Sequence, residues 1–129
     1  MDNKLNFWTR IDKLIASHEV IIDRPKGSTH PIYPGILYPL DYGYLKGTSS
    51  SDGNEIDIWQ GSMTVKTCVA VVCTVDILKS DVEIKLLIGC TNDEMDIITR
   101  FHNDYDYQSG IIIKRNEFDS DIHLSPSDV

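Results

Sequence analysis

The sequence is short of positive charge: 12 lysines and arginines stand against 20 aspartates and glutamates, a formal net charge of −8 over 129 residues. Non-specific binding to nucleic acid or to an anionic membrane draws its affinity from excess positive charge, so neither partner is expected. Long hydrophobic runs are missing too. No stretch approaches the ~20 apolar residues that cross a bilayer. The opening Met1, Asp2, Asn3, Lys4, Leu5, Asn6 lacks the basic segment and apolar core of a secretory signal. The expectation is a soluble, cytoplasmic protein. Cysteine is scarce: Cys68, Cys73 and Cys90 are odd in number and form no Cys-x-x-Cys pair, which favours buried free thiols over a disulfide framework or a zinc site. The four histidines, His18, His30, His102 and His123, lack the i, i+4 spacing of a helical metal site.

What is present suits one domain, since 129 residues with 41% hydrophobic content can bury a single core. Leu5, Trp8, Ile11, Leu14 and Ile15 recur at helical spacing and predict an amphipathic helix from Asn3 to Ser17. Glu19 to Asp23 is a β-branched run that stops at Arg24 and Pro25. Four prolines and two glycines between Pro25 and Pro39 rule out a helix there. A strand is predicted from Ile56 to Trp59. Lys66 to Leu78 is apolar on both parities and predicts a strand buried on both faces, with Val82 to Gly89 returning beside it as a hairpin. Thr91, Asn92, Asp93, Glu94 has the form of a capping box, followed by a helical stripe of Met95, Ile98 and Phe101. Ile111, Ile112 and Ile113 form a last strand. Residues 1–115 are predicted to be one domain, and the acidic, Ser- and Pro-bearing tail 116–129 to be disordered. The class is α+β: a small antiparallel barrel or curled sheet with helices at its ends.

The acidic residues gather in two places. In Asp52, Gly53, Asn54, Glu55, Ile56, Asp57 a turn leads into a strand, so Asp52, Asn54 and Asp57 can converge as oxygen ligands of the kind magnesium takes. Asp-Gly is equally a common turn. In the hairpin, a two-residue turn at Lys79 and Ser80 would set Asp76 opposite Glu83. Like charges facing across a ladder are destabilising. They can be excused by a bridging divalent cation, by exposure to water, or by Lys85 on the same face.

Three ordered blocks resemble the soluble family I inorganic pyrophosphatases. Val20 to Ser28 reads Val, Ile, Ile, Asp, Arg, Pro, Lys, Gly, Ser, similar to a strand ending in an acidic residue, Ile, Pro, Lys, Gly, Ser. Tyr38, Pro39, Leu40, Asp41, Tyr42, Gly43, Tyr44 resembles the family's Tyr-Pro-x-x-Tyr-Gly block, and Asp52 to Asp57 its Asp-Gly-Asp-Pro-apolar-Asp signature. The resemblance implies a five-stranded, OB-like barrel with an N-terminal helix and a late helix at its side, and magnesium-dependent hydrolysis of pyrophosphate. By position it implies metal-bridging roles for Asp52 and Asp57, a site-edge role for Asp23, and contact of Tyr42 with phosphate. Asp76, then Asp81 or Glu83, resemble further metal ligands, and Lys85 a catalytic lysine; the hairpin count favours Glu83. The family's bacterial members assemble, so a homo-oligomer is expected.

The sequence also departs from that family. Asn54 replaces the signature's middle aspartate, and Lys26 and His30 are all that the shortened segment offers in place of a lysine and arginine that grip phosphate. The Tyr-Lys pair of the late helix has no match, since Phe101, His102 and Asn103 stand in that neighbourhood, and Lys114 and Arg115 are the residues that could substitute for it in space. These departures keep a second reading open, a catalytically degenerate domain that binds phosphate or metal or serves a regulatory role. A binder without turnover would distinguish it.

Overall fold

The computed structural model describes residues 3–115. The element order is α1 (Asn3–Ala16), β1 (Val20–Arg24), β2 (Asp41–Leu45), β3 (Ile56–Gln60), β4 (Cys68–Asp76), β5 (Asp81–Ile88), α2 (Asn92–His102) and β6 (Gln108–Lys114). The predicted tail 116–129 lies outside the described residues. No helix among them is long and apolar enough to cross a membrane.

The six strands form one sheet in the order β1-β2-β3-β5-β4-β6, and every neighbouring pair is antiparallel except β3 with β5, which run parallel. This corrects the expected five-stranded antiparallel barrel: the sheet is mixed, has six strands and is not closed. Burial on both faces explains the difference. Ile58, Val71 and Leu86 pack on one side of the sheet, while their chain neighbours Trp59, Val72 and Leu87 pack on the other. Two apolar faces need two covers. α1 supplies Trp8, Ile11, Leu14 and Ile15 to the first, and α2 supplies Met95, Ile98 and Phe101 to the second.

Packing, more than propensity, holds these helices, since an isolated helix as short as α1 is marginal in water. A fully buried large apolar side chain contributes about 1.5–3 kcal/mol, the scale for Trp8 on α1 and for Met95 and Ile98 on α2, and the partly buried members of each stripe add less. The start of α2 is fixed locally by the predicted capping box: Thr91 Oγ1 accepts from the Glu94 amide at 3.1 Å, and the Glu94 carboxylate accepts from the Thr91 amide at 2.9 Å.

The β4–β5 hairpin differs from its sequence reading. Asp76 faces Asp81 and Glu83 faces Thr74, so Ile77 to Ser80 form the turn. The Asp76 carboxylate dictates this, because Oδ1 accepts from the Leu78 and Lys79 amides, each at 3.0 Å. Such a side-chain-closed turn is an alternative to the two-residue hairpin. Ser80 completes it at φ +58°.

Candidate active site

Register brings the chemistry together. Tyr42 lies opposite Trp59 and Tyr44 opposite Asp57 across β2 and β3, while Trp59 lies opposite Leu87 on β5. Alternation then puts Tyr42, Asp57, Lys85 and Glu83 on the α2 face of the sheet. Lys85 Nζ donates to Tyr42 Oη, Asp57 Oδ2 and Glu83 Oε1, each at 2.9 Å. An ammonium has three donors, and all three are used. Lys85 is only 8% exposed. Burial opposes its charge, yet Tyr42 and Asp57 more than offset this and raise its pKa above that of an ordinary lysine. Burial likewise raises the Tyr42 pKa against the pull of Lys85, keeping a neutral phenol.

This cluster forms the floor of a polar cavity of about 390 Å³. Asp23, Asp52, Glu55, Asp57 and Glu83 bring carboxylates to it, and Arg24, Lys79 and Lys85 bring cations. Consecutive strand residues ordinarily point to opposite faces. The bulge between Ile22 and Arg24 suspends that rule, so Asp23 and Arg24 both line the cavity. Asp52 is turned onto its own loop: Oδ1 accepts from Ser50 Oγ at 2.5 Å and from the Asn54 amide at 2.9 Å. These bonds, the serine's first, lower its pKa. Asn54 therefore shapes the loop that carries Asp52.

The remaining sequence candidates fall elsewhere. Asp76 is buried beside a second cavity of about 210 Å³, which adjoins the first through Arg24, Tyr42, Lys79 and Lys85. Asp81 sits opposite Asp76 at the hairpin end. Lys26 is exposed and its amide donates to Asp41 Oδ1 at 2.8 Å. His30 lines the second cavity, where its Nδ1 accepts from the Ile32 and Tyr33 amides at 3.1 and 3.2 Å; burial, then Arg24, lower its pKa. Arg115 is bound to both oxygens of Asp12 on α1 and to the Cys68 carbonyl.

Arg24 and Lys79 are the site cations that sequence reasoning missed. Arg24 stands inside the first family-like block at a position the family fills with isoleucine, and Lys79 looked like a turn residue only. The Arg24 guanidinium bonds Tyr38 Oη and lies over the Tyr38 and Tyr42 rings, 5.3 and 5.7 Å from their centroids.

In the wall of the second cavity, His102 Nε2 accepts from Trp59 Nε1 at 3.1 Å, which requires that nitrogen to be unprotonated. Burial first, and the Lys85 charge second, push the His102 pKa down to about 4. The unfolded chain protonates histidine near pH ~6.5, so the unfolded state binds the extra proton between these values. Stability is therefore full above pH ~6.5 and falls as pH drops towards 4, by about 3 kcal/mol at ~1.4 kcal/mol per unit. Urea denaturation of wild type and His102→Gln from pH 7.5 to 4.5 checks this. The stability difference should shrink as pH falls; a constant difference contradicts it.

No protein-family model matches the chain, and no curated protein matches it in sequence. Solved structures do match its fold. The inorganic pyrophosphatase of Helicobacter pylori superposes with a TM-score of 0.56 at 18% identity, covering 76% of this chain and 85% of that one. An inorganic pyrophosphatase from Coxiella burnetii gives 0.55 at 14% identity over 75% and 85%. One from Neisseria gonorrhoeae gives 0.52 at 16% identity over 84% and 81%. The chain thus has a pyrophosphatase-like fold.

Proposed function

We propose that this protein hydrolyses the phosphoanhydride bond of inorganic pyrophosphate or a related anhydride at the polar cavity, with magnesium as cofactor. The observation that carries the reading is the Lys85 ammonium held between Tyr42, Asp57 and Glu83 in a cavity that Arg24 and Lys79 also line. The pyrophosphatase-like fold supports it.

The donor set suits magnesium in its chemistry, because five carboxylates line one polar cavity and this ion takes oxygen ligands. Among the described residues no three acidic, histidine or cysteine side chains are grouped to hold an ion alone. The fit is to an ion held by one or two carboxylates and completed by water and substrate phosphate. Asp57 and Glu83 would hold it, with Asp52 at the rim. When bound, such an ion neutralises substrate charge and makes a coordinated water more acidic.

The chain's own groups do the rest. Phosphoryl transfer is catalysed mainly by positioning and charge neutralisation. Arg24 and Lys79 grip the phosphate oxygens. Lys85 meets Asp57 and Glu83 through one oxygen each, which orients both carboxylates towards the cavity. With Lys85 held as ammonium and Tyr42 as phenol, neither takes a proton at neutral pH. The attacking water gives its proton to Asp57, and the Tyr42 hydroxyl donates to phosphate.

Phosphate release from pyrophosphate, with and without magnesium, tests the reading. Asp57→Asn is expected to be slower by about 10²-fold or more, the scale of a lost general base. No release above that of Asp57→Asn, from pyrophosphate or from any related anhydride offered, overturns the reading. Magnesium-dependent pyrophosphate binding without turnover would reassign the chain to a phosphate-binding module. In this reading residues 1–115 are the working domain of a cytoplasmic homo-oligomer. Val75, Val82, Ile84, Ile111 and Ile113 support the oligomer, since all are exposed on the α1 side of the sheet.

A further inference from the structure

The second cavity differs in chemistry from the one it adjoins. Tyr38, Phe101, Tyr105 and Tyr107 present rings to it. Tyr105 and Tyr107 stack with centroids 5.6 Å apart and planes 24° from parallel, and His30 lies 10° from parallel to Tyr38 at 6.2 Å. Inorganic pyrophosphate has no apolar surface and gains nothing from such walls. A flat aromatic ring does, because every base has a π-face that stacks on tyrosine.

The two cavities are adjacent and share their cations. Arg24, Lys79 and Lys85 line both, as does Tyr42. A ligand with its phosphates over these cations in the polar cavity would extend its organic end among the rings. Size narrows the class: about 210 Å³ lies below the ~300 Å³ at which pockets for drug-sized ligands begin, so the aromatic cavity takes a base rather than a larger group. It also offers polar groups to read a base edge. Gln108 is weakly engaged, at 3.5 Å to Asp76 Oδ2 and 3.4 Å to His102 Nδ1, so its amide is available to exchange these contacts for a ligand's.

We propose that the substrate class is a nucleoside polyphosphate, with its base in the aromatic cavity and its phosphates in the polar one. The inference rests on the hydrolytic reading above and names its substrate. Water bonds to the terminal phosphorus while the bond to the bridging oxygen breaks. The bridging oxygen keeps the electron pair and stays with the shortened nucleoside phosphate; inorganic phosphate leaves, and one proton is released.

The test measures kcat/KM for ADP and for pyrophosphate in magnesium with the same preparation, for wild type, Tyr105→Ala and Tyr107→Leu. The expected result is turnover of ADP, with the ADP-to-pyrophosphate ratio falling about tenfold in each variant, the scale of a lost base stack. Two substitutions in different positions guard against one that fails to fold. Pyrophosphate turnover with no ADP turnover, or an unchanged ratio in both variants, overturns the inference and leaves the proposed function standing. Turnover of neither substrate overturns both.

Discussion

Lys85→Met is expected to lose phosphate release by about 10²–10³-fold, as when a preorganised charge is removed from a reacting centre, and to lower stability as well. Asp57 and Glu83 each place an oxygen 2.9 Å from the Lys85 nitrogen. Those oxygens therefore lie no farther apart than twice that distance, with only the ammonium between them. Removing it leaves two like charges whose repulsion is about 1–3 kcal/mol for the partly wet environment their side-chain exposures of 33% and 17% describe. Loss of three charge-assisted hydrogen bonds adds to this, for a total of about 2–4 kcal/mol. Methionine keeps the apolar stem, so packing is largely conserved. Urea denaturation should show the loss, and Lys85→Met/Glu83→Gln should recover about 1 kcal/mol of it. If the double variant recovers nothing, the carboxylates are not electrostatically coupled through Lys85.

Gly43→Ala is expected to be worse for folding than any site substitution. A Cβ on Gly43 would stand 1.7 Å from the Ile21 carbonyl oxygen and 2.8 Å from its carbon. Both are backbone atoms of the paired strand β1, where Ile21 lies opposite Tyr44 and Ile22 opposite Gly43. No rotamer relieves such a contact, so β1 must separate from β2. The cost should exceed about 4 kcal/mol, the range reserved for broken backbone architecture. Asp23 and Arg24 would leave the polar cavity with the strand. Thermal unfolding checks the first effect. A variant within 1 kcal/mol of wild type would show that β1 is not packed against β2 as described.

These two residues also mark what the sequence revealed and what it hid. Gly43 stands in the Tyr-Gly block, where the pattern pointed to a site without disclosing that the glycine lets β1 approach. Strand and helix positions were readable because apolar periodicity reports directly on burial: the α1 stripe and the two-sided run in β4 both hold. Strand partnership was not readable, because periodicity says which faces are buried and nothing about which strand lies beside which. The insertion of β5 between β3 and β4, parallel to β3, therefore had no local signal.

The hairpin shows the same limit at smaller scale. Counting from a two-residue turn opposed Asp76 to Glu83, and that opposition was the ground for preferring Glu83 over Asp81. The pairing is different, because the Asp76 side chain closes a longer turn. Glu83 reaches the polar cavity on other terms, through Lys85 two residues later on the same face. Arg24 was hidden for a related reason: a bulge let it and Asp23 face one cavity, and bulges leave little trace in alternation. The scarcity of cations that the sequence suggested is thus partly made good by Arg24 and Lys79.

The most direct measurement is a titration of the protein with imidodiphosphate, a non-hydrolysable pyrophosphate analogue, in magnesium, followed by amide shifts in two-dimensional NMR. The expected result is saturable perturbation concentrated at Asp23, Arg24, Tyr42, Asp52 to Asp57 and Glu83 to Lys85, lost in Lys85→Met. Absence of saturable perturbation there, or its concentration on the α1 face of the sheet, would contradict a phosphate site built on Lys85.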